Sequence, residues 1–389
     1  MPSTLLEPGP DATRCEGFGS FDTESRREFG VMVWIGFCNI FFEERPRALR
    51  ESCRNEYDAR MRSDDPDGCE AYEVGRPIRI GVSSCLLGNA VRYDGGHKRD
   101  RFVTDLLAQF VEWVPVCPEV EVGMGTPRPA LRLVRDGEDV RMVEVASGRD
   151  HTRAMQRYAA RRVRALRELE ICGYVLKKDS PSCGMTRVKV YSEKGAPSKD
   201  GRGIFAGPLL DTYPNLPVEE EGRLNGAKLR ENFIERIFAY RRLRDLFRGR
   251  WTRGQLVAFH TAHKLQLMAH AMEPYRELGR LVASLKSRPR VEICQRYQDL
   301  FMAALARVSS RARNTNVLQH AAGHLKENLD SASRTEMADL IHDYRLGNVP
   351  LVVPVTLLRH HARHLDVGYL NGQTFLEPHP KELMLRNHV

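Results

Sequence analysis

The stretch IRIGVSSCLLG, which runs from Ile78 to Gly88, has the pattern that decides the fold. Its apolar residues Ile78, Ile80 and Val82 alternate as they do in a short buried β-strand. The chain then passes through Cys85 and turns at Gly88. This order predicts a thiol just beyond the carboxyl end of a strand.

The same order occurs twice more along the chain. WVPVCPE, at 113–119, is an apolar run that reaches Cys117, and GYVLK, at 173–177, is followed within a few residues by Cys183. If the three strands are parallel in one α/β sheet, their carboxyl ends share the edge at which such sheets bind ligands. We therefore expect Cys85, Cys117 and Cys183 to converge.

Length and composition limit the class of protein. A chain of 389 residues is long enough for two domains, and 42% hydrophobic with 29% charged residues is typical of a soluble protein. No apolar run approaches the roughly 18 residues of a membrane helix, so we expect a cytoplasmic protein without membrane contact. The net charge of +9 fits an anionic substrate or RNA, but an ordinary solvated surface has the same balance, and we favour that interpretation.

The nine cysteines are odd in number and irregularly spaced, which indicates free thiols or metal ligands in a reducing compartment. Thiolate suits zinc or an iron–sulfur cluster. A closed zinc site usually has four protein ligands and a C-x-x-C pair, which the three strand-end cysteines lack. Three cysteines on a [4Fe–4S] cluster would leave one iron open. From spacing alone, three unrelated buried cysteines are an equally weighted alternative.

Polar residues near these cysteines suggest a working site. Glu119 follows Cys117 by two residues and is suited to proton transfer. Ser180 and Ser182 lie in the turn that carries Cys183. We expect further substrate contacts from Ser84, Arg92, Tyr93, Asp94 and Lys177. The alternative for Arg92 and Asp94 is a simple salt bridge in a turn.

The chain divides into three parts by pattern. Residues 1–75 are rich in charge, Gly, Pro and Asp, and we expect an extension that is largely disordered. Residues 76–222 alternate strands and helices, which predicts an α/β domain with a mainly parallel sheet. Residues 230–389 predict an all-α domain. Its helices are expected at 230–248, 252–285, 290–308, 316–329, 333–346 and 354–365.

Five histidines of the helical part form a second candidate site. His260, His263 and His270 fall on one predicted helix, and His320 and His324 have the i, i+4 spacing that can chelate a metal. A metal or a nucleic-acid phosphate would suit them. We favour hydrogen-bonded histidines in a helical core, because no carboxylate accompanies the pairs in the sequence.

The cysteine segments resemble the TudS-like thiouracil desulfidases over about residues 76–220. The matching motifs are VSSCLLG with RYDG, CPE with a later PR, and LKKDSPSCG. The resemblance implies a [4Fe–4S] cluster on Cys85, Cys117 and Cys183, with one iron open to the substrate. It also implies removal of sulfur from a thiolated pyrimidine, such as a 2-thiouracil-like base, nucleoside or nucleotide, to give uracil and sulfide. Glu119 and Ser180 would be the acid/base and its polar partner.

The helical part resembles the YbgA-like family, for which no activity is established. Its matching segments include FHTAHK, NVLQH and VPLVVPVTLL. Thiolated uracils occur in transfer RNA, so this basic domain is a candidate for RNA contact. The alternative to a desulfidase is a Cys-ligated zinc protein, or an RNA-binding protein that acts on thiolated tRNA without desulfuration chemistry of its own.

Overall fold

The computed structural model describes residues 77–192 and 196–388, and the predicted N-terminal extension lies outside these ranges. From Pro77 onward the chain forms one compact unit. Among the described residues, no helix combines the length and the apolar character needed to cross a membrane.

Eight strands within the described residues form two four-stranded sheets. They are β1 (Ile78–Ser83), β2 (Val111–Val116), β3 (Leu131–Asp136), β4 (Asp139–Glu144), β5 (Gly173–Leu176), β6 (Val188–Tyr191), β7 (Ser198–Gly201) and β8 (Val218–Glu220). The first sheet has the order β2-β1-β5-β8, and all its pairs are parallel. The second has the order β4-β3-β6-β7 and is mixed. The predicted α/β region with a mainly parallel sheet is confirmed.

Strand β1 lies between β2 and β5, and its register sets the edge where the site forms. Every residue from Ile80 to Ser83 is buried, as expected for a strand covered on both faces. Ser83, the last residue of β1, is paired with Val116, the last residue of β2. The chain therefore leaves both strands at the same level and on the same side of the sheet.

Two helices cover opposite faces of the first sheet. Helix α2 (Thr152–Glu168) joins a core with Val116 and Tyr174. The long helix α4 (Ala227–Phe247) packs its apolar residues into a core with β1 on the other face. Two short helices, α1 (Pro118–Glu121) and α3 (Ala206–Thr212), complete this part of the molecule.

The remainder of the chain is helical, as predicted. Its helices are α5 (Arg253–Ala262), α6 (Lys264–His270), α7 (Met272–Ala283), α8 (Arg290–Ala306), α9 (Arg311–Gly323), α10 (Ser331–Leu346), α11 (Val352–His364) and α12 (Gly368–Asn371). The single helix predicted over 252–285 is wrong, because the backbone departs from helical geometry at His263 and at Ala271. At Ala271 the chain is extended, with φ −156° and ψ 110°.

Candidate functional site

The three strand-end cysteines lie at one edge of the parallel sheet. Cys85 sits in a 3-10 turn (Ser84–Leu87) directly after β1, and Cys117 directly follows β2 as the N-cap of α1. Cys183 belongs to the turn after β5, the other neighbour of β1. All three are free thiols; Cys85 and Cys183 are buried, and Cys117 is half-buried.

The charge of Cys117 acts on both of the other thiols. Burial raises the pKa of Cys85 to about 11, and the charge of Cys117 raises it further, against the opposing effects of Lys177 and Arg92. Burial raises the pKa of Cys183 to about 12, where Cys117 again adds to the effect and a hydrogen bond with Ser83 opposes it. Cys117 is thus the neighbour of both other thiols.

The three thiols are soft ligands of the kind that zinc and iron–sulfur clusters take. In residues 77–192 and 196–388, no group of three His, Cys, Asp or Glu side chains already has the arrangement of a single-ion site.

Glu119 links the cysteine-bearing segments of β2 and β5. The hydroxyl of Ser182 donates to Glu119 Oε1 at 2.6 Å and lies 3.0 Å from the hydroxyl oxygen of Ser180. Ser180 Oγ in turn accepts the backbone N–H of Cys183 at 3.1 Å. The carboxylate, two hydroxyls and a cysteine backbone therefore form one hydrogen-bonded chain across the edge.

Arg128 holds the other side of Glu119. Its Nε donates to Glu119 Oε2 at 2.9 Å, and its Nη2 contacts the same oxygen. The guanidinium also donates to the carbonyl oxygens of Gly125 at 2.9 Å and Val91 at 3.0 Å. Only 3% of the Arg128 side chain is exposed. Arg128 belongs to the PR motif, but nothing in that motif indicates a role for it.

The predicted substrate-binding residues near this edge differ in their exposure and in their hydrogen-bond and ion-pair partners. Arg92 forms an ion pair with Asp94 at 3.2 Å, so the salt-bridge alternative holds, yet its charge still reaches Cys85. Tyr93 is 46% exposed, and the Arg92 guanidinium lies 5.5 Å from the centre of its ring. Ser84 is buried, and its hydroxyl accepts a hydrogen bond from Asn89 at 2.8 Å.

Lys177 forms an ion pair with a carboxylate that the sequence alone does not indicate as its partner. Its Nζ lies 2.5 Å from Glu221 Oε1, and the other oxygen of Glu221 accepts the backbone N–H of Lys178 at 2.8 Å. The backbone N–H of Lys177 donates to Ser83 Oγ at 2.9 Å. Glu221 follows β8, a strand absent from the sequence prediction, so only the sheet order could reveal this pair.

Three histidines of the helical region belong to its core. Burial lowers the pKa of His260 to about 4 and that of His263 well below its usual value. Burial also disfavours a charge on His270, but the carboxylate of Glu235, 3.2 Å away, outweighs it and raises the pKa. The expected absence of a carboxylate is therefore wrong for His270. A hydrogen-bonded core is the better description of these three residues.

The i, i+4 pair of the helical region lies apart from that core. His320 is in α9 and His324 caps it, with ring centres 5.3 Å apart. The ring of His324 packs on Tyr369 at 4.6 Å. Neither ring has a carboxylate partner among the described residues.

Comparisons with known proteins match both regions. The 2-thiouracil desulfurase family matches residues 80–221, and a family of proteins of unknown function, DUF1722, matches residues 264–380. The uncharacterized protein YbgA of Escherichia coli is 30% identical over 165 residues, which are 42% of this chain and 98% of YbgA. The chain joins a 2-thiouracil desulfurase-family region to a YbgA-like region.

Two further proteins are similar to the N-terminal family region. The uncharacterized protein YbbK of Bacillus subtilis is 37% identical over 108 residues, 26% of this chain and 71% of YbbK. A solved structure of the [4Fe–4S]-dependent thiouracil desulfidase TudS is 33% identical and covers 38% of this chain and 93% of that chain, with a TM-score of 0.33. The 2-thiouracil desulfurase match thus spans all three cysteines and Glu119.

Proposed function

We propose that this desulfurase-family chain removes sulfur from a thiolated pyrimidine with a [4Fe–4S] cluster held by Cys85, Cys117 and Cys183. The observation that carries the proposal is the position of three free thiols after β2, β1 and β5 at one carboxyl edge, with Cys117 interacting with both of the others. The net reaction exchanges a ring C=S for C=O, consumes one water and releases hydrogen sulfide. It needs no oxidant or reductant.

The donor set supports a cluster with one iron free of protein thiolate. When bound, such a cluster supplies a Lewis-acidic iron for the substrate sulfur. The three cysteines are buried or half-buried, so a thiocarbonyl would enter a site partly shielded from water. A cysteine-ligated zinc protein is the alternative, and metal analysis of protein purified without oxygen separates the two.

Glu119 is suited to move the proton of the attacking water. Arg128 neutralises one oxygen, Oε2, and leaves the Ser182-bonded oxygen, Oε1, facing the Cys183 turn. Glu119 Oε1 would accept the proton as water attacks the ring carbon and return it to the departing sulfur. Ser180, bonded to both Ser182 and the backbone of Cys183, holds the relay in position.

The substrate ring would be oriented by the polar residues at the rim. The exposed ring of Tyr93 offers a stacking surface for a pyrimidine, with Arg92 and Asp94 beside it. Lys177 and Ser84 lie on the Cys85 side of the edge and are suited to donate to the exocyclic carbonyl oxygen of the base. RNA contact through the YbgA-like region, with thiolated tRNA as the substrate, is a further part of the proposal.

Anaerobic reconstitution with iron and sulfide, followed by assay of sulfide release from 2-thiouracil, tests this function. We expect the wild type to bind a cluster and release sulfide, and Cys85→Ala, Cys117→Ala and Cys183→Ala each to lose both. Cys172→Ala and Cys294→Ala are matched controls: both thiols are free, Cys172 precedes β5 at the opposite end of the strand, and Cys294 lies in α8. Zinc without iron in anaerobically purified protein would overturn the proposal.

A further inference from the structure

The hydroxyl of Tyr174 is a buried donor without an acceptor. Tyr174 lies in β5, and its side chain is fully buried. Among the described residues, its hydroxyl oxygen has no hydrogen-bond partner. Burial raises the pKa of Tyr174 well above its usual value, so the hydroxyl keeps its proton. A buried hydroxyl that is left unpaired loses the hydrogen bonds that water would give it, so native proteins seldom contain one without a reason.

The ring of Tyr174 occupies a place that the first sheet makes for it. Gly81 of β1 is paired with Tyr174, and the ring lies across it, because a Cβ at Gly81 would be 2.2 Å from the ring carbon Cδ2. The ring belongs to the core beneath α2, together with Val116 and Cys183. The ring of Phe205 packs beside it, with the two centres 6.0 Å apart. A glycine in β1 therefore allows the aromatic side chain of β5 to extend over its neighbour.

The thiol of Cys183 lies just beyond this place, toward the carboxyl edge. Ser83 follows Gly81 by two residues in β1, so its side chain projects from the same face about 7 Å farther along the strand. The thiol of Cys183 is hydrogen-bonded to Ser83. Cys183 also has the largest effect of any charged group on the pKa of Tyr174. The tyrosine hydroxyl and the cysteine sulfur are therefore neighbours on one face of the sheet.

Other donors beside the cysteine edge are already engaged. The backbone N–H of Cys117 and the hydroxyl of Tyr158 both donate to Glu121, at 3.1 and 2.7 Å. The hydroxyl of Ser182 donates to Glu119 at 2.6 Å. Unlike these groups, the tyrosine hydroxyl of β5 has no acceptor in the part of the chain that the structure describes. It is suited to an acceptor that comes with a bound group.

We propose that the hydroxyl of Tyr174 donates a hydrogen bond to a sulfur atom of the cluster that Cys85, Cys117 and Cys183 hold. The sulfur atoms of such a cluster carry negative charge and accept hydrogen bonds, which help to set its reduction potential. The inference rests on the proposed function for the presence of the cluster, and it does not depend on the substrate.

The donor offsets negative charge in a place that water does not reach. Three thiolates bring negative charge to the edge, and burial disfavours that charge unless hydrogen bonds compensate it. Because the reduced cluster carries one more negative charge than the oxidised cluster, a donor stabilises the reduced form more. Removal of the hydroxyl should therefore lower the reduction potential. The proposed reaction needs no net electron transfer, so the role of Tyr174 is to keep a negatively charged group stably bound.

An anaerobic redox titration of reconstituted Tyr174→Phe, followed by electron paramagnetic resonance of the reduced cluster, tests this role. We expect the equilibrium constant for reduction to fall roughly tenfold relative to the wild type, a shift of about 59 mV for one electron. Phenylalanine keeps the ring over Gly81, so the packing should be retained. In the cluster-free protein the urea midpoint should stay the same or rise, because the hydroxyl has no partner there.

Tyr297→Phe is the matched control. Tyr297 is also fully buried, but it lies in the helical region, and its hydroxyl is 3.2 Å from Nδ1 of His260. This variant should show the opposite pattern, with a lower urea midpoint and an unchanged reduction potential. An unchanged potential in Tyr174→Phe, an equal shift in both variants, or a lower midpoint of cluster-free Tyr174→Phe would overturn the proposal. A folded Tyr174→Phe protein that binds no cluster, beside a Tyr297→Phe protein that does, would support it.

The redox titration and the desulfidase assay separate this inference from the proposed function. A cluster whose potential depends on Tyr174, without sulfide release from 2-thiouracil, would refute the proposed reaction and keep the hydrogen bond. Sulfide release by a protein whose potential does not respond to Tyr174→Phe would do the reverse. A wild-type protein that binds no cluster would overturn both.

Discussion

Arg128 is the buried charge on which the arrangement of the cysteine edge depends. Its guanidinium neutralises Glu119 and at the same time holds the carbonyl of Val91, which lies 3.8 Å from the sulfur of Cys117. A single side chain therefore fixes the carboxylate and the loop around one thiol. An arginine does this better than a lysine, because its planar fork makes several hydrogen bonds at once.

Replacement of Arg128 by Met should cost about 3–5 kcal/mol of the free energy of unfolding, since Glu119 would be left as an unpaired buried charge. Urea denaturation measures this loss. The double variant Arg128→Met, Glu119→Gln should recover part of the stability, because no unpaired carboxylate is then left in the site. It should release no sulfide. A loss below about 1 kcal/mol, typical of an exposed ion pair, would contradict this account.

Among the elements, the turn after β5 is held mainly by hydrogen bonds to its backbone. The N–H groups of Phe205 and Ala206 donate to the carbonyl of Ser182 at 3.0 and 3.1 Å, so the start of α3 is docked on this turn. At Gly203 the segment that leads into α3 comes very close to the backbone of the Cys183 turn. A Cβ there would overlap the carbonyl of Ser182 and lie 2.9 Å from the backbone nitrogen of Cys183.

Gly203→Ala should therefore displace the Cys183 turn and reduce both cluster occupancy and sulfide release, with a stability loss of about 1–3 kcal/mol from overpacking. Iron content per chain and thermal unfolding measure the two effects. Gly207→Ala is the control, because nothing lies within 4 Å of its Cβ position and alanine suits a helix. A Gly203→Ala protein with full iron content would refute the role of this contact.

The elements that the sequence predicts are those with a local pattern. The alternation in β1 and the helical period over 230–248, where α4 forms, are properties of consecutive residues, and both predictions are confirmed. Strand β7 has the sequence SKDG, without any apolar alternation, and forms only because β6 offers a partner. The second sheet therefore depends on pairing that no local pattern reveals.

The same limit applies to the site. Each cysteine follows an apolar strand, and parallel strands end at one edge, so the sequence predicts that the three thiols share that edge. The ion-pair partners of the acidic and basic residues cannot be predicted in this way. Arg128 reaches Glu119 and Lys177 reaches Glu221 only through the tertiary fold, so the sequence identified Glu119 and Lys177 but not what holds them.

For the whole molecule, α4 is the element that joins the two family regions. It lies between the matched segments, 80–221 and 264–380, and it covers the first sheet. Its residue Ile237 packs so closely on β5 that a Cβ at Gly173 would lie 2.9 Å from it. Farther along the same helix, Leu243 belongs to a core of the helical region. The division into domains at 222 and 230 stays a prediction.

We expect the α/β and helical regions to unfold together, because both cores include residues of α4. One variant keeps only Trp113, in β2 of the first sheet, and another keeps only Trp251, in the helical core, so that each reports on one region. Their urea transitions should coincide. Ile237→Ala should shift both by about 2–5 kcal/mol of stability. Separate midpoints for the two tryptophans would show that α4 does not couple the regions.

The strand order β2-β1-β5 has a consequence for synthesis of the chain on the ribosome. Cys85 and Cys117 emerge first, and β1 can pair with β2 as soon as both are made. Strand β5 then adds to the free side of β1, so no pair has to open to admit it. In the proposed three-cysteine site, the set of thiols is complete only when Cys183 has emerged. Insertion of the proposed cluster would therefore have to wait for the third strand.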